Sequence, residues 1–85
     1  MQLPASLTLA EAGTLVAQLA ADVAEIDASA LKSCDTSAVA LLLEARRRAH
    51  AQGKPLVVRN APQKLVALAK LYGVDGLMSF EGVST

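Results

Sequence analysis

Three times along this chain a short apolar run is followed by a helix-start signal and then by apolar residues at helical spacing. Strand then helix, repeated with short links, calls for parallel strands joined by right-handed crossovers. The first run is QLPASL, residues 2–7, in which Pro4 suits only an edge or a strand start. Thr8-Leu9-Ala10-Glu11 then has the form of a capping box. Leu9, Ala12, Val16, Leu19 and Val23 follow at helical spacing and predict a first helix from Leu9 to Asp22.

The second run, VAEIDA at residues 23–28, reads as a buried strand with Val23 and Ile26 as its apolar side. Ser29 to Asp35 is polar and turn-like. Asp35, Thr36 and Ser37 are all N-capping types, so a second helix should begin near Thr36 and stop before Gly53. Val39, Leu42, Leu43 and Ala49 are its expected core side, with Glu44, Arg47 and Arg48 outward. Glu44 and Arg48 stand four apart in the favourable order. Leu56-Val57-Val58 is the third run. Asn60 is the expected cap of a third helix, with Pro62 in its first turn, the stripe Leu65, Leu68, Ala69 and Tyr72, and an end at Gly73. Leu77 to Phe80 suggests a last edge strand, with a frayed EGVST tail after it. The expected fold is α/β, one domain over residues 1–85 with a mostly parallel sheet.

Composition supports one small core. Hydrophobic residues make up 53% of the 85, and they are mostly Ala, Leu and Val, with no Trp, one Tyr and one Phe. Small aliphatic side chains must therefore fill the interior. Eight basic residues balance eight acidic ones. A net charge of zero gives no electrostatic footprint for nucleic acid or an anionic membrane, and protects little against self-association. The single Cys34 forms no internal disulfide and fits a reducing cytoplasm. MQLPASLT lacks the basic start and long apolar run of a signal peptide, and no stretch is long and apolar enough to span a bilayer.

The chemistry-bearing residues do not assemble into a catalytic pattern. His50 is the one histidine, so a His-based metal cluster and a pair of imidazoles are both excluded. Near a helix end it reads as a solvated or dipole-compensating residue. Cys34 precedes a helix start, which lowers a thiol pKa, but a small buried hydrophobe closing a turn is the simpler reading. The glycines follow no phosphate-loop spacing. Arg46-Arg47-Arg48 points three ways around a helix and reads as a solvated face. Asp22, Glu25 and Asp27 read as surface acids. No catalytic residue, metal or cofactor is expected.

One constellation remains. Asp35-Thr36-Ser37 opens a helix, where free N–H groups and the positive dipole end favour hydrogen-bonding partners or a phosphate. A cap alone accounts for most such sequences, yet two extra hydroxyls exceed what a cap needs.

These residues carry a resemblance. Glu25 to Leu43, with Asp35-Thr36-Ser37-Ala38-Val39 opening an apolar helix, resembles the central segment of STAS domains, the family of sulfate transporters and anti-sigma factor antagonists. AQGKPLVVRNAPQKL resembles the family's next helix end, strand and helix start, so the likeness covers about residues 3–78. Within the family, Leu68-Ala69-Lys70-Leu71-Tyr72-Gly73-Val74 resembles the small MlaB-like STAS subunits of Mla-type ABC transporters, which move phospholipid between the membranes of Gram-negative cells. The resemblance implies a non-catalytic cytoplasmic subunit, peripheral to the inner membrane, that binds an ABC-type ATPase through Asp35, Thr36, Ser37 and Ala38. It implies Thr36 as the interface hydroxyl. In anti-sigma factor antagonists the hydroxyl matching Ser37 is phosphorylated by a partner kinase, which makes Ser37 the candidate phosphorylation site under the alternative reading. Ala38 replaces the family's usual Gly. The family's first strand, before residue 3, is missing, and the sheet edge so bared invites a homodimer.

Overall fold

The computed structural model describes residues 2–19 and 23–82. The elements run β1 (Ser6–Leu7), α1 (Leu9–Gln18), β2 (Glu25–Asp27), β3 (Ser33–Cys34), α2 (Thr36–Ala51), β4 (Val57–Arg59), α3 (Gln63–Leu71) and β5 (Ser79–Glu81), with a 3-10 turn at Asp75–Leu77 before the last strand. The alternation read from the sequence is present, and the fold is α/β.

Every described strand pair is parallel: β1 with β3, β2 with β4, and β4 with β5. The two groups meet where Gln2 bridges Asp27 and the Leu3 N–H donates to the Asp27 carbonyl at 2.8 Å. The spatial order is thus β3-β1-β2-β4-β5. From β1 to β2 to β4 to β5 the chain always steps the same way. Right-handed crossovers then place all three helices on one face of the sheet.

Burial confirms this. Ile26 and Val58 are fully buried and Phe80 packs beneath the helices, while Glu25, Arg59 and Glu81 alternate onto the open face. Parallel sheets are usually covered on both faces. Here the open face is made compatible with water by charge. Arg59 reaches Glu25 on β2 at 2.5 Å and Glu81 on β5 at 3.6 Å, bridging three neighbouring strands. Exposed pairs like these contribute at most about 1 kcal/mol each. Their main consequence is a polar, solvated surface.

The core lies between sheet and helices. Leu3, Leu7, Ile26, Leu41, Leu42, Leu56, Val58 and Leu65 are its largest fully buried side chains. Ala38, Ala45, Ala49 and Ala69 are fully buried as well. These alanines let the helices approach closely, which is how a chain nearly without aromatics fills its interior. Gly53 and Gly73 both sit at φ 70° just past the ends of α2 and α3. A Cβ at either would meet nothing within 4 Å, so the left-handed backbone, not space, favours glycine there.

Several expectations are corrected. Ser33–Cys34, read as part of a polar turn, is a strand that pairs with the outer side of β1. It covers part of the edge expected to be bare. β1 is shorter than residues 2–7 because Pro4 donates nothing to the ladder. The first helix ends at Gln18, not Asp22, and Leu19 is its C-cap; Asp22 and the last three residues of the tail lie outside the described residues. Asn60 does not cap α3. It adopts φ 56°, its side chain approaches Asp27, and the N-cap is Pro62, which has no side-chain cap to offer. Leu77 belongs to the 3-10 turn, not the last strand. Leu42 and Leu65 are buried as expected, whereas Leu43 and Leu68 are half-buried against the core. Tyr72 leaves the core altogether, at 54% exposure.

The arginine run splits by direction, as consecutive helical residues must. Arg46 Nε donates to the Leu77 carbonyl and Arg48 Nη1 to the Leu19 carbonyl, so both pin α2 to neighbouring segments and are not merely solvated. Arg47 stays exposed and bonds Glu44 at 2.7 Å, while Arg48 reaches the same carboxylate at 3.1 Å. Hydrogen bonds from Arg47 and then Arg48 hold the Glu44 carboxyl at about 2. A folded value below the unfolded one means the stabilisation is complete above the ordinary carboxylate range and is lost as pH falls toward 2. A carboxyl-carbon NMR titration should therefore place Glu44 near 2, and Arg47→Gln should move it upward. A wild-type midpoint above about 4 would show that these bonds do not persist in solution.

Candidate functional site

The second helix begins where the sequence places it. Asp35 is extended, at φ −128° and ψ −164°, and its Oδ1 accepts the Ser37 N–H at 2.8 Å. The Asp35 carbonyl accepts the Ala38 N–H at 3.0 Å. A cap of this kind is worth about 1 kcal/mol. Asp35 is itself held from below, its own N–H pointing to the Leu7 carbonyl at 3.4 Å. The β3 pairing that the sequence did not reveal thus positions the start of α2 on the sheet.

The four candidate residues separate once α2 is packed. Ala38 is fully buried beneath the helix. Neither its backbone nor its side chain is open to a partner, and its methyl group belongs to the core. Ser37 is half-buried, and its N–H is taken by the cap. Thr36 is exposed. It opens a groove of about 190 Å³ lined by Thr36, Val39, Ala40 and Leu43 of α2 and by Tyr72 beyond the end of α3. Positions 36, 39, 40 and 43 form one helical stripe. Apart from the hydroxyls of Thr36 and Tyr72, its lining side chains are aliphatic or aromatic carbon. Ser37 lies 100° around the helix from Thr36 and does not line the groove.

Tyr72 is the residue that sequence reasoning placed wrongly, and it is part of this site. With it stand Leu71 and Leu77, at 74% and 43% exposure. These three are the exposed large hydrophobics among the described residues. Leu71 ends α3 immediately before Tyr72, and Leu77 ends the 3-10 turn. The signal was present in the run LAKLYGV, which stood out by resemblance but was read by period as a core stripe.

Burial is the leading influence on the Cys34 thiol and pushes it up, against the pull of nearby Lys64 and with a smaller push from Asp35. A buried, protonated thiol is a poor nucleophile. His50 is exposed on the far end of α2, away from Asp35. No group of three His, Cys, Asp or Glu residues among the described ones is arranged to hold a metal ion. No helix among the described residues is long and apolar enough to cross a membrane.

Comparison with known proteins agrees with the geometry of a capped helix start on a small parallel sheet. The family described as "Mlab, STAS domain" matches residues 1–79. No curated protein and no solved structure matches the chain. With nearly its whole length covered, this chain belongs to the MlaB-like STAS-domain family.

Proposed function

We propose that this chain is a non-catalytic cytoplasmic subunit that binds the ATPase of a phospholipid-transport ABC complex and supports its assembly or activity. The membrane is reached only through that partner. The observation that carries the reading is the position of Thr36, exposed at the mouth of an apolar groove on a helix start that Asp35 holds rigid. A preorganised, largely apolar surface with two hydroxyls, of Thr36 and Tyr72, suits protein docking and offers nothing to catalyse a reaction. Family membership and the LAKLYGV run support an ABC partner.

The alternative is an anti-sigma factor antagonist switched by phosphorylation of Ser37. It is favoured by the place of Ser37 in the first turn of α2, where the helix dipole tolerates a phosphate. Asp35 stands beside it and adds like-charge repulsion.

Co-expression with the ATPase subunit of the ABC transporter encoded nearest to this chain separates the two. A stoichiometric complex in size-exclusion chromatography with light scattering is expected, together with unmodified Ser37 in mass spectrometry. Absence of a complex, with Ser37 phosphorylated in protein from the native host, would replace the first reading by the second.

A further inference from the structure

We propose that β5, an edge strand of the sheet, pairs antiparallel with β5 of a second copy of this chain about a two-fold axis at Phe80, so that the sheet runs on from one molecule into the next.

Backbone direction sets the first part. No described strand other than β4 pairs with β5, so its outer side is a sheet edge. The Ser79 N–H donates to the Leu56 carbonyl at 2.9 Å, and the Glu81 carbonyl accepts the Asn60 N–H at 2.8 Å. Residues 79 and 81 thus turn their peptide groups toward β4. Alternation turns the N–H and the carbonyl of Phe80 the other way, outward from the sheet. Outward backbone groups at an edge are a template for another strand. The two edges of this sheet differ in how they are protected. β3 is two residues long and follows the exposed Lys32. Shortness and lysine both discourage pairing. β5 holds neither lysine nor proline, and its one charged side chain, Glu81, is engaged by Arg59 at 3.6 Å.

Self-complementarity makes the second copy the occupant. With Phe80 opposite its own counterpart, the two residues exchange both N–H···O bonds, as the hydrogen-bonded pair of an antiparallel ladder does. Their rings then meet on the helix-covered face. Phe80 is the one phenylalanine of the chain, and it is only partly buried against the core. A second ring beside it adds an aromatic pair and completes its cover. On the other face Ser79 stands opposite the second copy's Glu81, a hydroxyl against a carboxylate, and symmetry makes the contact twice. Sliding one strand by two residues keeps the faces but can set the two Glu81 carboxylates directly opposite each other, which is unfavourable. Charge therefore selects the register centred on Phe80. The net charge of zero does nothing to hold copies apart. Three residues from each copy fall well short of the roughly 800 Å² per partner of a stable interface, so the dimer is weak and forms at high concentration.

The test is sedimentation equilibrium of the purified chain, joined to amide hydrogen exchange followed by NMR. From about 10 μM to 1 mM the chain should pass from monomer toward dimer. Exchange of the Phe80 amide should slow as the concentration rises, because that N–H is bonded only in the dimer. Ser79→Glu changes an exposed side chain and should weaken dimerisation about fivefold or more, since it opposes two carboxylates twice by symmetry. Ser79→Lys should strengthen it, since the same two contacts become attractive. Circular dichroism checks the fold of each variant, and should Ser79→Glu unfold, Ser79→Lys decides. A chain that stays monomeric at the highest of these concentrations overturns the proposal. So does a dimer whose Phe80 amide is not slowed, or whose affinity neither Ser79 variant changes. If the chain stays monomeric and the Phe80 amide slows only when the purified ATPase subunit is added, the edge takes a strand from another protein and the second copy is the wrong occupant.

Discussion

Thr36→Glu should weaken partner binding about thirtyfold or more and leave the domain as stable as its parent. Thr36 is the first residue of α2, next to the capping Asp35. A carboxylate in a first helical turn is favoured by the dipole, by about 0.3–1 kcal/mol at an exposed position. The change therefore carries no folding penalty of its own. Binding is different. Thr36 opens an apolar groove, and a carboxylate pressed into that contact must give up its water without a cation aimed at it from Val39, Ala40 or Leu43. A hot-spot residue in such a contact is worth about 2 kcal/mol or more, roughly a thirtyfold loss of affinity. Titration calorimetry gives the binding and circular dichroism the melting curve. Equal affinity for parent and variant would remove Thr36 from the interface. A lowered melting temperature would mean that the threonine is structural.

Leu42→Ala should cost roughly 2–5 kcal/mol of stability. Leu42 is fully buried against the sheet, and the fully buried Ala38, Ala45 and Ala49 share its side of α2. Those neighbours are already short side chains and cannot swing in to refill the space, so the cavity term will be near its full size. Against a total stability of about 5–15 kcal/mol, one such change removes a large share. Leu43→Ala is the internal control. Leu43 is half-buried and borders the groove, so it should lose less stability and more binding. Urea unfolding of both variants provides the comparison. Equal losses at positions 42 and 43 would mean that the assigned faces of α2 are wrong.

The two positions lie on different faces of α2, one buried against the sheet and one bordering the groove. Resemblance pointed to the start of α2, and the cap geometry there is local: Asp35, Ser37 and Ala38 are joined by bonds within three residues. Signals of that kind are legible in a sequence because the interacting groups are neighbours in the chain. The capping pattern of Thr8 and Glu11 is another case, with the Thr8 N–H donating to Glu11 Oε2 at 3.0 Å. So are the glycine stops at Gly53 and Gly73, where a left-handed residue follows a helix.

What the sequence did not disclose depended on segments brought together from afar. β3 is two residues long, too short to carry a period, and exists because β1 offers it hydrogen bonds from 27 positions earlier in the chain. Asn60 has the composition of a cap, but Asp27 of β2 and the β5 end claim its side chain and its N–H. Tyr72 falls at the right spacing from Leu65 and Ala69 for a core stripe. Yet α3 ends at Leu71, and which part of its arc is covered depends on where α2 and the sheet stop. Thr36 and Ser37 are adjacent and chemically alike, so no rule of composition could separate them. Helix geometry turns their side chains 100° apart. Only the packing of α3 beside α2 decides that one of them opens onto a groove while the other does not. Local hydrogen bonding was written in the order of residues; the division between buried and exposed surface was settled by the neighbours each element acquired on folding.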